Sequence, residues 1–433
     1  MNIKNLLLFA TVALLFILTG ATMSWNLSLS ILNMALLSSI MAMGVNMQWG
    51  YAGLFNTGIM GFTALGGLAV VLTSAQPSPG AWAAGGSGIV LGLFLGAATI
   101  GAAMQLYKRM KPGSGRNLAI GALLVGGLFL YRAVFDPAVE AVEMLNPATY
   151  GNLGGFGLPV LLAWPMGGVL AAIAAWAIGK TALGLRSDYL AIATLGIAEI
   201  IITMLKNEDW LARGVKNVIS LPRPWPVPYE VNLQRDTGFL SWAANWGFDP
   251  VTGSSVVVKL IYAGLFGVVL LVVIALSELA LKSPWGRMMR AIRDNEVAAA
   301  AMGKDVTRRH LQIFIIGSAV VGMAGAMMSS MDGQLTPGTY NPLRFTFLIW
   351  VMVIVGGSGN NWGSVLGGLL MGWLWLIVES LGPLVMSGIT ANLSDGALKS
   401  HLIDSAQHMR LLTLGVILLL VLRFSPRGLI PEK

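Results

Sequence analysis

The sequence predicts an all-α fold: a polytopic transmembrane helical bundle of about 10–12 membrane segments, both termini cytoplasmic, forming one domain over residues 1–433. Three observations predict it. Hydrophobic residues make up 56% of the chain and charged residues only 11%, where a soluble domain carries about 25% charge. The apolar residues form long unbroken runs, which select helices over the ten-residue alternation of a β-barrel. Lys and Arg also gather on alternate connections, as membrane topology requires.

The expected spans in order are 6–22, 29–48, 59–73, 87–107, 118–135, 160–180, 188–205, 256–281, 311–331, 345–357, 362–382 and 411–424. The first has only Lys4 before it and no A-x-A-like site after Thr22, which favours a retained signal anchor over a cleaved signal peptide. The runs 59–73 and 345–357 fall short of the roughly 20 residues of a full crossing and are read as re-entrant or tilted. With both termini inside, the inner segments hold 17 of the 27 Lys and Arg, counting Lys180 and Arg423 at the membrane edge. The outward segment 136–159 carries Asp136, Glu140 and Glu143 and no basic residue. Positive-inside bias therefore accounts for the net charge of +8 without nucleic acid. Of two further long outward segments, 206–255 is too long for a passive connector, and 383–410 includes an expected surface helix with His401 and His408.

Several chemistries are excluded. There is no cysteine, hence no disulfide, thiol catalysis or thiolate-bound metal. Gly179-Lys180-Thr181 resembles the end of a phosphate loop, but Ala174 stands where the first glycine belongs, so Lys180 is read as a snorkelling interfacial lysine. His401 and His408 share a helix face without a third ligand, and no metal site is expected.

What remains is a charged connection, a set of glycine clusters and one acid. Lys282–His310 holds ten of the chain's 46 charges. Ser283 and Pro284 suit a helix start. The pattern is helical from Trp285 to Met302, with Met288, Ile292, Ala299 and Met302 on one face and Arg290 and Asp294 spaced as an i,i+4 pair. Gly303 ends the helix and Asp305 or Thr307 begins the next. Gly363, Gly367, Gly368 and Gly372 recur at small-xxx-small spacing, which permits close helix approach. Val355–Trp362 reads as a tight polar turn. Gly44–Asn56 mixes glycines with Asn46, Gln48 and Asn56, either a broken helix lining a path or an ordinary glycine-rich turn. Glu199 lies mid-span, either lining a path or anchoring packing.

These residues resemble a known family, the LivM-type permeases of branched-chain amino-acid ABC importers. Val297-Ala298-Ala299, three residues, Gly303 and then Ile313 fit the spacing of the coupling motif of such permeases, with valine for its first glutamate and Glu296 one residue earlier. Asp188–Ile200, Gly50–Gly58, Gly322-x-Ala324-Gly325, Gly356-Gly357-x-Gly359 and Pro426-x-Gly428-Leu429 have counterparts there as well. The resemblance covers roughly residues 40–430. It implies a non-enzymatic transport subunit of the bacterial inner membrane, paired with a second homologous permease. It also implies two cytoplasmic ATP-binding subunits and a periplasmic substrate-binding protein. ATP and Mg would sit on those partners, with no cofactor on this chain. Arg290, Arg293, Glu296, Ala298, Ala299 and Gly303 are then the expected ATPase-coupling residues, and Asn46, Asn56, Thr194, Gly196 and Glu199 the expected substrate path. The alternative is a secondary transporter or channel with Glu199 as its coupling acid. Three departures limit the resemblance: an expected inserted hairpin near 108–159, Arg213–Asn217 where Thr-Gly-Gly is common, and Asn56 where Ser or Asp is common, the last two bearing on substrate.

Overall fold

In the computed structural model, residues 3–145, 152–391, 393 and 395–432 are described. The expected outward segments run in part through 146–151, 392 and 394, which lie outside those residues, as do Met1, Asn2 and Lys433. The long helices in chain order are α1 (Ile3–Thr22), α2 (Trp25–Ala52), α3 (Ile59–Ser74), α4 (Pro79–Arg109), α5 (Ser114–Glu143), α6 (Val160–Ala182), α7 (Ser187–Asn207) and α8 (Pro250–Lys282). Two short helices follow, α9 (Pro284–Asp294) and α10 (Glu296–Ala301), then α11 (Val306–Asp332), α12 (Leu343–Gly356), α13 (Asn361–Thr390), α14 (Ala397–Asp404) and α15 (Met409–Phe424). Among the described residues, nine helices are long and apolar enough to cross a membrane, or ten if the bent pair α14–α15 counts as one span.

The two short apolar runs, α3 and α12, lie inside the bundle; nearly every residue of α3 is buried, as is nearly all of α12 from Leu348 to Gly356, while Leu343 and Phe347 at its start are exposed. Their surroundings are helices rather than lipid, so length alone does not constrain them. The centre is α3 packed against α6, α7 and α11, with α2 beside α11 and α13 and α8 outside α2. Helices gain little hydrophobic drive from packing in lipid, so contact rests on close backbone approach. A Cβ on Gly66 would come within 1.9 Å of the Gly322 carbonyl, and one on Gly325 within 2.1 Å of the Thr63 carbonyl. The glycine stripe of α13 serves two neighbours at once. Gly363 and Gly367 meet the Gly356 and Met352 carbonyls of α12, while Gly368 and Gly372 meet Ser39 and Ala35 of α2.

The helical pair α4–α5 packs mainly on itself and touches the rest near Phe135 and Trp210, whose rings meet edge to face at 5.5 Å. The hairpin expected over 108–159 takes in α5 and the chain after it, and α4 precedes those bounds.

The two ends of the bundle are distinct. At one, Val218 pairs with Leu335, Leu221 N–H donates to Gly333, and Leu153 N–H to Trp210. At the other, the end of α2, the α9–α10 loop, the Gly357–Asn360 turn and the tail after α15 converge. There Leu429 and Ile430 N–H donate to the Val355 and Gly356 carbonyls, both at 2.9 Å.

Adding one methyl at the central crossing should therefore be costly. Gly66→Ala or Gly325→Ala is expected to destabilise the protein by about 1–3 kcal/mol, read as a lowered thermal unfolding midpoint in detergent. Gly264→Ala, whose Cβ meets nothing within 4 Å, should leave the midpoint unchanged.

Candidate functional site

The charged connection folds as two helices rather than the single one expected over 285–302. Ser283 Oγ accepts from Gly286 N–H and Pro284 occupies the first turn of α9. Asn295 then adopts an extended backbone, and its Oδ1 accepts from Ala298 N–H at 2.9 Å. Asparagine competes with helix propagation by capping, so α10 starts afresh. Gly303 (φ 77°) reverses the chain, and Asp305 caps α11 through Arg308 N–H at 2.9 Å. Ile292, Ala299 and Val306 with Met288 form a small core that holds the loop together. Met302 is 72% exposed, away from that core, because α10 is turned relative to α9. Arg290 and Asp294 do not pair. Arg290 donates to the Leu281 carbonyl, and Asp294 accepts from Arg293 at 3.1 Å.

The expected coupling residues divide into two groups. Glu296, Ala298 and Gly303 are exposed on the tip of α10, with Val297 (79% exposed) and Met302 beside them. Ala299 is buried beneath, and Arg290 is half-buried. Arg293 turns inward. Its Nη1 donates to the Gly50 carbonyl at 2.5 Å and to Glu432 Oε2 at 2.8 Å, and Nε and Nη2 donate to Asp294 at 3.1 Å. Burial opposes its charge, but Glu432 and then Asp294 hold the pKa above the ordinary guanidinium value. One permanent cation thus ties the loop to the end of α2 and to the C-terminal tail.

Beyond Gly50, α2 continues to Ala52 and stops at Gly53 (φ 71°). The break to α3 is stapled by side chains. Asn56 Nδ2 donates to Gln48 Oε1 at 2.8 Å, and its Oδ1 accepts from Gly58 N–H at 2.9 Å. Gln48 Nε2 donates to the Phe314 carbonyl (2.9 Å) and Ser318 Oγ (3.0 Å) on α11. Thr57 N–H donates to Thr194 Oγ1 at 3.1 Å, Thr346 to the Thr57 carbonyl at 3.1 Å, and Trp350 Nε1 to the Asn56 carbonyl at 3.0 Å. A second cluster sits nearer the turn. Asn46 Oδ1 accepts from Gly359 N–H at 2.9 Å, Tyr51 donates to Asn361 Oδ1 at 3.1 Å, and Asn361 Nδ2 donates to Glu278 at 3.0 Å.

Asn46, Asn56 and Thr194 are therefore buried and bonded to neighbouring helices, so a lining role for them requires the α2–α3 break to open. Gly196 and Glu199 lie elsewhere, exposed on the far face of α7. Gln48, Tyr51, Thr346 and Asn361 complete the network without standing among the expected site residues. Their signal was a polar side chain inside an apolar run.

Two sizeable cavities flank the bundle. An apolar groove of about 600 Å³ runs between α2, α8 and α11, past Met47, Tyr51, Leu276 and Ile313. A charged cavity of about 480 Å³ at the other end is bordered by Asn33, Arg223, Glu230, Lys259 and Asp332. Among the described residues no group of three or more His, Asp or Glu side chains is placed to hold a metal.

Residues 113–422 match the family described as branched-chain amino acid transport system, permease component. The high-affinity branched-chain amino acid transport system permease proteins LivM of Salmonella typhimurium and Escherichia coli are each 27% identical over 281 residues, 64% of this chain and 58% of theirs. A probable LivM of Methanocaldococcus jannaschii is 32% identical over 156 residues, 36% of this chain and 42% of that one. The LivH permease protein of Escherichia coli is 28% identical over 120 residues, 28% of this chain and 37% of that one. The chain thus spans less than two thirds of the length of the curated relatives it matches. No solved structure matches it.

The stapled break yields a direct expectation. Asn56→Ala strips partners from Gln48 Oε1 and Gly58 N–H in a buried site, each costing about 1–3 kcal/mol. A lowered thermal unfolding midpoint of several degrees is expected, and an unchanged midpoint would show the network to be incidental.

Proposed function

The chain belongs to the branched-chain amino acid transport permease family, and from that premise we propose that it is the transmembrane permease subunit of an ATP-driven importer. It carries branched-chain or related small amino acids across the bacterial inner membrane. A second homologous permease, two cytoplasmic ATPases and a periplasmic binding protein complete the assembly, and ATP with Mg binds the ATPases. The end of the bundle bearing the α9–α10 loop faces the cytoplasm, which the concentration of Lys and Arg on its connections supports.

The observation that carries this reading is the Arg293 clamp beneath an exposed helix tip. A partner pressing on Val297, Ala298 and Met302 displaces α10, whose core with Ile292 and Val306 makes it move with α9 and α11. Arg293 passes that displacement to Gly50, at the end of the helix whose Gln48 grips α11 and whose Asn46 grips the Gly359 turn. The ATPase stroke is thereby converted into a shift of α2 against α11 and α13, the motion that alternates access. In this reading ATP acts on the chain through such a contact, since no phosphate loop is found in its sequence.

Contact and transmission separate experimentally in the assembly reconstituted in proteoliposomes. Val297→Glu places a charge on the exposed tip without disturbing the core, and should lose ATPase co-purification and uptake together. Arg293→Met should retain the ATPases and their hydrolysis while uptake falls at least about tenfold, a loss of about 1.4 kcal/mol of coupling. Normal ATP-driven uptake in both variants would sink the assignment.

A further inference from the structure

Glu199 is the thirteenth of the 21 residues of α7, about 18 Å along the helix and so near mid-span. The opposite face of α7, through Leu190, Ala191, Thr194, Ala198, Ile202 and Leu205, is buried, with α3 and α6 as the long-helix neighbours. Glu199 stands instead in an exposed stripe with Ile192, Gly196 and Thr203. Among the described residues it has no hydrogen bond or ion pair. The other charges placed well inside long helices are matched: Lys259 by Asn26, Glu278 by Asn361, Glu379 by Arg410 and Arg132 by Asp136.

The α4–α5 pair shows what a lipid-covered face looks like in this chain. It is exposed nearly all round and apolar, and its ions Arg132 and Asp136, near the outer end of the expected span 118–135, cancel each other at 2.7 Å. The α7 stripe is different. An acid facing hydrocarbon at mid-bilayer costs about 3 kcal/mol or more, so protein or water must cover it. Soluble ATPases and binding proteins do not reach that depth, so the covering chain must itself cross the membrane. Gly196 leaves room for it, since a Cβ there would meet nothing within 4 Å. Both LivM and LivH permeases are similar to this chain, so a homologous spanning chain is the partner at hand.

We infer that the α7 face bearing Ile192, Gly196, Glu199 and Thr203 packs against a second, homologous permease chain, with Glu199 opening into a water-filled passage between the two. The inference rests on the importer reading above and deepens it by naming the face that meets the partner permease.

The absence of cysteine from this chain makes the test direct. In the full assembly in membranes, a benzophenone amino acid at Ile192 should trap a homologous permease, identified by mass spectrometry. The same probe at Phe129 of α5 should trap no protein. In opened vesicles, Gly196→Cys or Thr203→Cys should react with a water-soluble thiol reagent many times faster than Leu128→Cys of α5, read as mass added to this chain. Trapping of nothing, or of an unrelated protein, at Ile192 overturns the inference, as does reactivity of both stripe cysteines as low as that at Leu128. ATP-driven amino-acid uptake by the unsubstituted assembly tells the two readings apart. Uptake without trapping removes this inference alone, whereas trapping without uptake removes the importer reading and leaves the interface standing.

Discussion

The arrangement depends on one constraint: the six residues between α2 and α3 expose backbone polar groups away from water, and something must satisfy them. A helix would do so internally, but Gly53 in its left-handed conformation ends α2 within the packed bundle. The deficit is met by Thr194 of α7, Thr346 and Trp350 of the α12 segment and the side chain of Asn56, which Gln48 of α2 holds in place. Gln48 also grips α11. Satisfying one break therefore pins α2, α7, α11 and α12 to a common point. The same buried network that makes an irregular backbone tolerable fixes the relative position of the central helices.

That point lies one helical turn from where the charged loop is attached. Arg293 bonds Gly50, and Asn46 bonds Gly359, so α2 is held from both sides at its end. The C-terminal tail closes the same cluster through Glu432 and through the strand-like pairing of Leu429 and Ile430 with the Gly356 turn. Motifs far apart in the sequence thus share a single locus. Gly50–Gly58, Arg293, Gly356–Gly359 and Gly428–Leu429 are parts of one joint.

Much of this was legible in the residues, and the misses have physical causes. Span positions followed from apolar runs because lipid admits only helices and closed barrels, and long unbroken runs select helices. The caps Ser283 and Asp305 were readable from side-chain chemistry next to a breaker. The break at Asn295 was not, because an alanine-rich stretch keeps its helical pattern through a residue that caps only when the tertiary packing turns the chain there. The glycine stripe of α13 announced close approach, yet its division between α12 and α2 depends on partners that no local pattern encodes. Asn46, Asn56 and Thr194 show the deepest limit: a polar side chain lining a cavity and one bonding a neighbouring helix look identical in sequence. Only the position of the facing backbone separates them.

The same distinction explains why Glu199 matters more in the structure than its residue type alone allowed. Well inside the described long helices, Lys259, Glu278 and Glu379 are each answered by a bond from the same chain, so the cost of desolvation is offset locally and the charge becomes structural. Glu199 has no such answer on its own chain, and its helix shows the acid to the outside at the depth where lipid is least able to host it. A stable fold that leaves one mid-span charge unmatched is incomplete as a membrane object, since the unmatched charge must be solvated by something beyond the chain. The face that carries it is therefore where completion takes place, and it lies on α7, joined to the α2–α3 break by Thr194. A displacement of the break is thus felt about a turn and a half from the acid, which links the joint at the end of α2 to the exposed stripe through a single helix.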